Sequence, residues 1–339
     1  MVFKYFLLLH RMSIEVNYSS VAPSALLTEI SQHFEFKKNA TIRFLKRGFN
    51  DTYLITEPRG RKFILRVYNV NWRKRKSIVD ELALLTELDK ALVAVAAPYR
   101  LKEGAFHANL AAPEGRRYMA LFKFAEGAPV QKLTVNQAFL LGIETGRMHK
   151  YTEGKNYKYA AQNYEVDYQI RKSYARLKPI LKDFPEEWAM MVKIRDDFYE
   201  NFTVKTIPKL SRGVCHGDLQ AENVHFMANN NLTLFDFDFF GNGFLIYDIG
   251  VFIWYDHQNK TKEIVDSFLK GYQTQRVLND TELRLLPYFS TLRALFQMTV
   301  YCKLNNGTYL PQWKPEQVAK FVHKMKRWHQ TEVRKYYKY

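Results

Sequence analysis

Cysteine is scarce: Cys215 and Cys302 are the only two in 339 residues. That excludes a disulfide scaffold and suits a reducing cytosol. Neither sits at a paired-ligand spacing, so no structural zinc site is expected. Long apolar runs are missing as well. The apolar core of the amino terminus, Phe6 to Leu9, is too short for a spanning helix and short for a signal peptide. No later stretch reaches spanning length without charges. A soluble cytoplasmic protein with no membrane part is expected, with Met12 as an alternative start. The chain has no repeat, no low-complexity tract and no Pro/Gly/Ser linker. Acids are outnumbered, 34 Asp and Glu against 51 Lys and Arg, a net charge of +17. What is present is apolar and aromatic material, 47% and 15% of the chain, which excludes a disordered protein. The length allows two compact lobes.

Much of the positive charge lies in "WRKRK" (Trp72 to Lys76) and in the tail after Lys314. In the tail, Val318, Phe321, Met325 and Trp328 recur at helical spacing with basic residues between them. This reads as a terminal helix docked by its apolar stripe, with a solvated basic face. Nucleic-acid or membrane-surface binding is the rival reading and is not expected. The basic balance would also attract an anionic substrate.

Along the chain, residues 24–34 predict a short helix with a Ser cap. Thr41–Arg47, Thr52–Thr56 and Lys62–Tyr68 predict strands joined by the turns "GFND" and "EPRG". Arg73–Lys90, apolar at Ile78, Leu82, Leu85 and Leu88, predicts a helix. Tyr118–Phe124 predicts another strand, closed by "AEGAP". That break sets a lobe boundary, giving lobes 1–124 and 125–339. From Gln137 the pattern is mainly helical. Gly142 and Gly146 share one helix face, which suits close helix packing. Helices between Arg171 and Phe202 are interrupted at Pro179 and Pro185. "VHFM" and "LTLFDFD" flank "ANNN" as a hairpin.

The hairpin matters because of what precedes and ends it. "GVCHGDLQAENVHF" (Gly213 to Phe226) carries Asp218 and Asn223 just before its first strand, and Asp236 ends its second. Antiparallel pairing returns both ends to one side, so the three side chains should converge. Hard oxygen ligands suit Mg²⁺, which keeps several waters and takes few protein oxygens plus phosphate. A carboxylate left off the metal can take or orient a proton from an attacking hydroxyl. Those are the parts phosphoryl transfer needs. Asp238, two residues on, would point to the other strand face, toward a second metal or solvent. Cys215 reads as a small core residue.

"HGDLQAEN" followed by "LFDFD" resembles the aminoglycoside phosphotransferase and choline kinase superfamily. The nearest flavours are homoserine-kinase-like and bacterial stress-response-kinase members. The resemblance covers most of the chain from Ser24. It implies an α+β, two-lobed protein-kinase-like fold: a small antiparallel sheet with one helix binds the nucleotide, and a larger, mainly helical lobe carries the catalytic loop and acceptor site. It implies an ATP- and Mg²⁺-dependent phosphotransferase. By the same resemblance Asp218 is the catalytic acid–base group, and His216 belongs to the catalytic loop and mainly braces it. Asn223 and Asp236 are metal ligands, and Asp248 in "YDIG" holds the loop from behind. Gly48 and Asn50 belong to the turn over the phosphates. Arg66 stands where the family usually has a phosphate-binding lysine, and Glu81 is its helix partner. Lys123 and Ala125 form the hinge for adenine. The plainer alternatives are turn geometry alone for Asn50, a solvent-facing edge-strand residue for Arg66 and an exposed helix acid for Glu81. Arginine does not simply replace lysine, because its planar fork reaches differently.

The acceptor side is written in the divergent helical lobe. Lys150 to Lys178, rich in Tyr, Lys and Arg, is the expected wall. A basic wall disfavours cationic aminoglycosides. A small amino-acid-, sugar- or amino-alcohol-like hydroxyl compound is the expected partner. The alternatives are a protein Ser/Thr kinase and a non-catalytic nucleotide-binding scaffold. No oligomeric state is implied.

Overall fold

A computed structural model describes residues 16–256, 262–303 and 312–332. Phe6–Leu9 and Met12 lie outside the described residues. Among the described residues, contacts divide the chain into two compact units, one of 16–74 and 99–122, the other of 75–98 and 123 onward.

The first unit is a five-stranded sheet with one helix. Helix α1 (Pro23–His33) begins one residue earlier than its sequence suggests. Pro23, with fixed φ and no N–H to satisfy, takes the first turn, and Ala22 stands at the cap in place of the expected serine. Strands β1 (Thr41–Arg47), β2 (Asp51–Thr56) and β3 (Lys62–Val67) pair antiparallel in sequence order. β4 (Ala108–Ala112) and β5 (Gly115–Lys123) form a further hairpin, and the sheet order is β1-β2-β3-β5-β4. Alternation along β3 buries Phe63, Leu65 and Val67 and leaves Ile64 and Arg66 half-buried on the other face. Tyr53, Ile55, Met119 and Leu121 join that core, which Leu26 and Ile30 of α1 cover. Each such fully buried side chain contributes about 1.5–3 kcal/mol.

The second unit is mainly helical. α2 (Arg75–Lys90) buries Ile78, Leu82, Leu85 and Leu88. α3 (Val135–Thr152) starts at a capping box between Thr134 and Gln137, which satisfies two end donors reciprocally. α4 (Val166–Ile180) admits Pro179 in its last turn, and α5 (Pro185–Asn201) opens on Pro185. α6 (Ile246–Asp256), α7 (Lys262–Gln273), α8 (Asp280–Lys303) and α9 (Pro315–Arg327) follow. α3 and α7 meet backbone to backbone. A Cβ on Gly142 would lie 2.0 Å from the Phe268 carbonyl oxygen, and one on Gly271 would lie 2.0 Å from that of Phe139. α9 docks by Val318, Val322 and Met325, with Trp328 just beyond it also buried; Lys320 and Lys324 stay exposed. Among the described residues no helix is long and apolar enough to cross a membrane.

Two small sheets carry the loops that matter. β6 (Gln162–Tyr164), β10 (Gly241–Phe244) and β7 (Arg212–Cys215) form one in the order β6-β10-β7. β8 (Val224–Phe226) and β9 (Leu232–Leu234) form the expected hairpin. Asn230 takes a left-handed conformation in its turn (φ 64°), which asparagine tolerates.

Candidate active site

β7 delivers the chain to His216, and Gly217 then turns it at φ +83°. A Cβ there would lie 2.1 Å from the Phe239 carbonyl oxygen and 2.2 Å from the Tyr164 hydroxyl, so only glycine fits. The turn is held from behind by Asp248, in the first turn of α6 and fully buried. One of its oxygens accepts the His216 N–H at 2.6 Å and the His149 Nε2–H at 3.0 Å. The other accepts the Gly217 N–H at 2.7 Å. His149 Nδ1 in turn accepts from the Tyr272 hydroxyl at 2.9 Å, Arg276 donates to that hydroxyl at 3.2 Å, and Glu282 receives Arg276 at 2.7 Å. Burial pushes the Tyr272 phenol up, so it remains an O–H donor. A buried polar chain thus runs from α8 to the loop. His149, Cys215 and Asp248 lie close enough to offer three atoms to an ion. The hydrogen bonds account for His149 and Asp248 without one. Burial raises the Cys215 thiol, which donates to the Phe244 carbonyl at 3.4 Å.

His216 faces inward. Its Nε2 donates to the Phe235 carbonyl at 3.1 Å and its Nδ1 accepts the Asp218 N–H at 3.3 Å. Both ring nitrogens are therefore engaged with backbone, the bracing arrangement.

Asp218 follows. Its Oδ2 accepts from Asn223 Nδ2 at 2.9 Å and from Gln220 Nε2 at 3.0 Å. Asn223 Nδ2 also reaches the Asp218 carbonyl at 2.9 Å, which turns the amide oxygen of Asn223 the other way. Oδ1 accepts from Arg293 of α8 and from the Tyr255 hydroxyl at 3.3 Å. Burial raises the Tyr255 phenol more than the Arg293 charge lowers it, so it too stays protonated. Arg293 Nη2 also bonds the Tyr255 oxygen, and its Nη1 bonds the Gly217 carbonyl at 3.1 Å.

The hairpin closes on this loop. Val224 pairs with Leu234, and one step further the Phe235 N–H donates to the Asn223 carbonyl at 3.1 Å. That bond pairs Asn223 with Phe235, and Asp236 follows it in the chain. β9 is shorter than its sequence suggests: it stops at Leu234, the backbone turns left-handed at Asp236 (φ 68°, ψ 60°), and Phe237–Phe239 form a 3₁₀ turn. Strand alternation therefore does not apply to Asp238, which is buried. Asn223 and Asp236 offer an amide and a carboxylate oxygen, a donor set that suits a hard cation and not zinc.

The remaining candidates lie apart in sequence. In the sheet unit, the Gly48 N–H bonds the Asn50 carbonyl at 3.1 Å, and the Asn50 side chain accepts the Asn69 N–H at 3.1 Å. Next to it, Asp51 receives Arg47 at 2.8 Å and Arg117 at 3.1 Å, so the turn is pinned to the sheet. Arg66 lies over the Phe122 ring, 5.7 Å from its centroid. In the helical unit, Glu81 is fully buried on α2, which removes the exposed-acid alternative. The Lys123 N–H bonds the Ala97 carbonyl at 2.9 Å while its ammonium pairs with Asp89 at 2.7 Å. His225 donates to the Ala125 carbonyl at 2.7 Å. In Lys150–Lys178, a polar cleft of about 350 Å³ is lined by Lys158, Gln162, Glu165, Tyr168 and Lys172 among others.

Sequence reasoning missed Arg293, Tyr255, Gln220 and His149. Arg293 did leave a signal: one cation in "LLPYFSTLRALFQM" among apolar helical neighbours. A buried charge there needs a partner.

Comparison with known proteins places these features. The model of the phosphotransferase enzyme family matches residues 41–286. An uncharacterized protein of Synechocystis sp. is 33% identical over 276 residues, 79% of this chain and 76% of its own length. A homoserine kinase of Bradyrhizobium sp. is 26% identical over 83% of this chain and 85% of its own. Among solved structures, the amicoumacin kinase hAmiN in complex with AMP-PNP, Ca²⁺ and Ami shares the fold, with a TM-score of 0.70, 20% identity, and coverage of 90% of this chain and 93% of that one. With its α+β kinase-like architecture and a family match spanning most of its length, the chain belongs to the phosphotransferase enzyme family and is a kinase acting on an alcohol group.

Proposed function

We propose that the enzyme moves the γ-phosphate of ATP to a hydroxyl of a small amino-acid-, sugar- or amino-alcohol-like molecule, in the cytoplasm. The observation that carries this reading is the closure of the β8–β9 hairpin on the catalytic loop: Phe235, the residue before Asp236, bonds Asn223, and Asn223 bonds Asp218. The homoserine kinase and amicoumacin kinase among the relatives support a small-molecule acceptor.

Asp218 accepts the acceptor's hydroxyl hydrogen bond, aims its oxygen at phosphorus and receives the proton as the new O–P bond forms. ADP leaves with the electron pair of the broken bond. Asn223 and Asp236 would hold Mg²⁺, which when bound neutralises charge on the phosphate oxygens. His216 and Asp248 keep the loop backbone in place and take no proton. Lys123 and Ala125 would meet adenine through the Lys123 carbonyl and the Ala125 N–H, since their other backbone groups are engaged. Gly48, Asn50, Arg66 and Glu81 are assigned to the triphosphate side on the family pattern, Arg66 as a charge-neutralising cation with Glu81 as its acid. The Lys150–Lys178 segment is assigned to the acceptor.

A screen of ATP consumption against homoserine, aminopropanol, sugars and protein substrates tests the proposal. Phosphorylation of a small alcohol with Mg·ATP is the expected result. A chain that binds Mg·ATP but consumes it with no small alcohol present in the panel, while phosphorylating protein serine or threonine, would replace it.

A further inference from the structure

The carboxylate of Asp218 has about four lone-pair positions, and four donors fill them. Gln220 and Asn223 bond Oδ2; Arg293 and Tyr255 bond Oδ1. An incoming hydroxyl needs one of these positions, so one donor must yield. Arg293 is poorly placed to do so. Its side chain is 4% exposed, its second nitrogen holds the Gly217 carbonyl, and Tyr255, Phe296 and Phe239 surround it at 5.0, 5.3 and 5.9 Å from their ring centroids. Moving it would leave a buried charge unpaired. Asn223 is tied twice to the same residue. Gln220 is half-buried, long and attached through a single bond at 3.0 Å.

We infer, resting on the phosphotransferase reading above, that Arg293 is the positioning residue of the catalytic carboxylate. With Tyr255 it fixes Oδ1 from the buried side, so that Oδ2 receives the acceptor proton in the place Gln220 vacates. The hydroxyl oxygen bonds phosphorus, its proton passes to Oδ2, and the bond to ADP breaks with its electron pair on ADP. Arg293 keeps all its protons and touches neither substrate. This gives α8 a role in the reaction that lies outside the catalytic loop itself.

The test uses the full chain, with phosphate release from Mg·ATP and water as the acceptor. Arg293→Ala should lower turnover about 100-fold, as losing an aligned base does. The KM for ATP should stay within about twofold, because Arg293 does not touch the nucleotide. Added guanidinium ion should restore at least about tenfold of that loss in Arg293→Ala and nothing in Asp218→Ala, a response a merely structural residue would not give. Arg293→Lys should recover less than about a tenth of wild-type turnover, since one ammonium does not span Gly217, Asp218 and Tyr255. Gln220→Ala should cost at least tenfold less than Arg293→Ala. If Arg293→Ala does not fold, Arg293→Lys with a cooperative melt carries the test. Wild-type turnover in a folded Arg293 variant, or a Gln220→Ala loss as large as that of Asp218→Ala, overturns the inference alone. A wild-type chain that binds Mg·ATP and turns over with neither water nor any small alcohol of the panel above overturns the small-molecule phosphotransferase reading itself.

Discussion

Exchanging Asp248 for asparagine keeps the shape and changes one acceptor into a donor. The carboxylate takes three N–H groups, from His216, His149 and Gly217. An asparagine amide has two placements. With nitrogen on the side of Oδ2 it opposes two donors, His216 and His149. With nitrogen on the side of Oδ1 it opposes only the Gly217 N–H, so that placement wins. The buried Gly217 N–H then lacks a partner, at about 1–3 kcal/mol, and the other two bonds drop from charge-assisted to neutral, roughly 1 kcal/mol each. Relief of burying a carboxylate returns part of this, which leaves a loss of about 3 kcal/mol. Gly217 adjoins Asp218, so the carboxylate shifts as well; a displacement on the order of 1 Å costs about 100-fold in rate. Urea unfolding followed by tryptophan fluorescence should show the midpoint fall, and ATP turnover should drop with the KM for ATP unchanged. A variant within about 0.5 kcal/mol of wild type, the scale of an ordinary surface change, with turnover within twofold, would refute the bracing argument.

Other outcomes follow from the same geometry. Asp218→Ala should leave ATP binding nearly intact and abolish transfer; undiminished transfer would remove its assigned role. Asp236→Ala should lose Mg²⁺-dependent ATP binding in a titration calorimeter, and unchanged binding would count against it as a ligand. Gly142→Ala gains about 1 kcal/mol of helix propensity, yet its methyl would lie 2.0 Å from a backbone oxygen of α7. Overpacking of this kind costs about 1–3 kcal/mol or more, so the melting temperature should fall, and a rise would show that α3 and α7 separate freely. Cys302, its thiol pushed up to about 11 by burial, should be thiolate in roughly 1 in 1,000 molecules at pH 8. Alkylation followed by mass spectrometry should then be a few hundredfold slower in the folded chain than after denaturation, speeding up as pH rises toward that value; equal rates would show the site open.

Much of the site was legible because its chemistry is local. Asp218, Asn223 and Asp236 lie within nineteen positions around one hairpin, and turn residues and alternation suffice to read that hairpin and the loop before it. The strand boundary there was not legible. Alternating "LTLFDFD" looks like one strand, but Asp236 adopts a left-handed backbone that no pattern of hydrophobicity records. β4 was missed because "ANLAA" carries little β-branched or aromatic material and takes its strand identity from pairing with β5. The serine cap failed because the neighbouring Pro23 is the stronger helix-start signal. Gly142 and Gly146 were readable as a packing face, since few other roles explain two glycines one turn apart in a helix. Arg293, His149 and Tyr255 act across 37 to 99 positions of sequence. Only the folded chain shows which partners those residues meet.

The family match ends at residue 286, seven positions before Arg293 and inside α8. An excised fragment trimmed to that boundary would sever the helix at its second turn. It would keep every motif by which a homology search recognises the kinase, and discard the cation bonded to the motif's own aspartate. Such a fragment should match the family model in full yet fail at the bench, and expression boundaries for this protein are better drawn beyond α8 than at the edge of the matched segment.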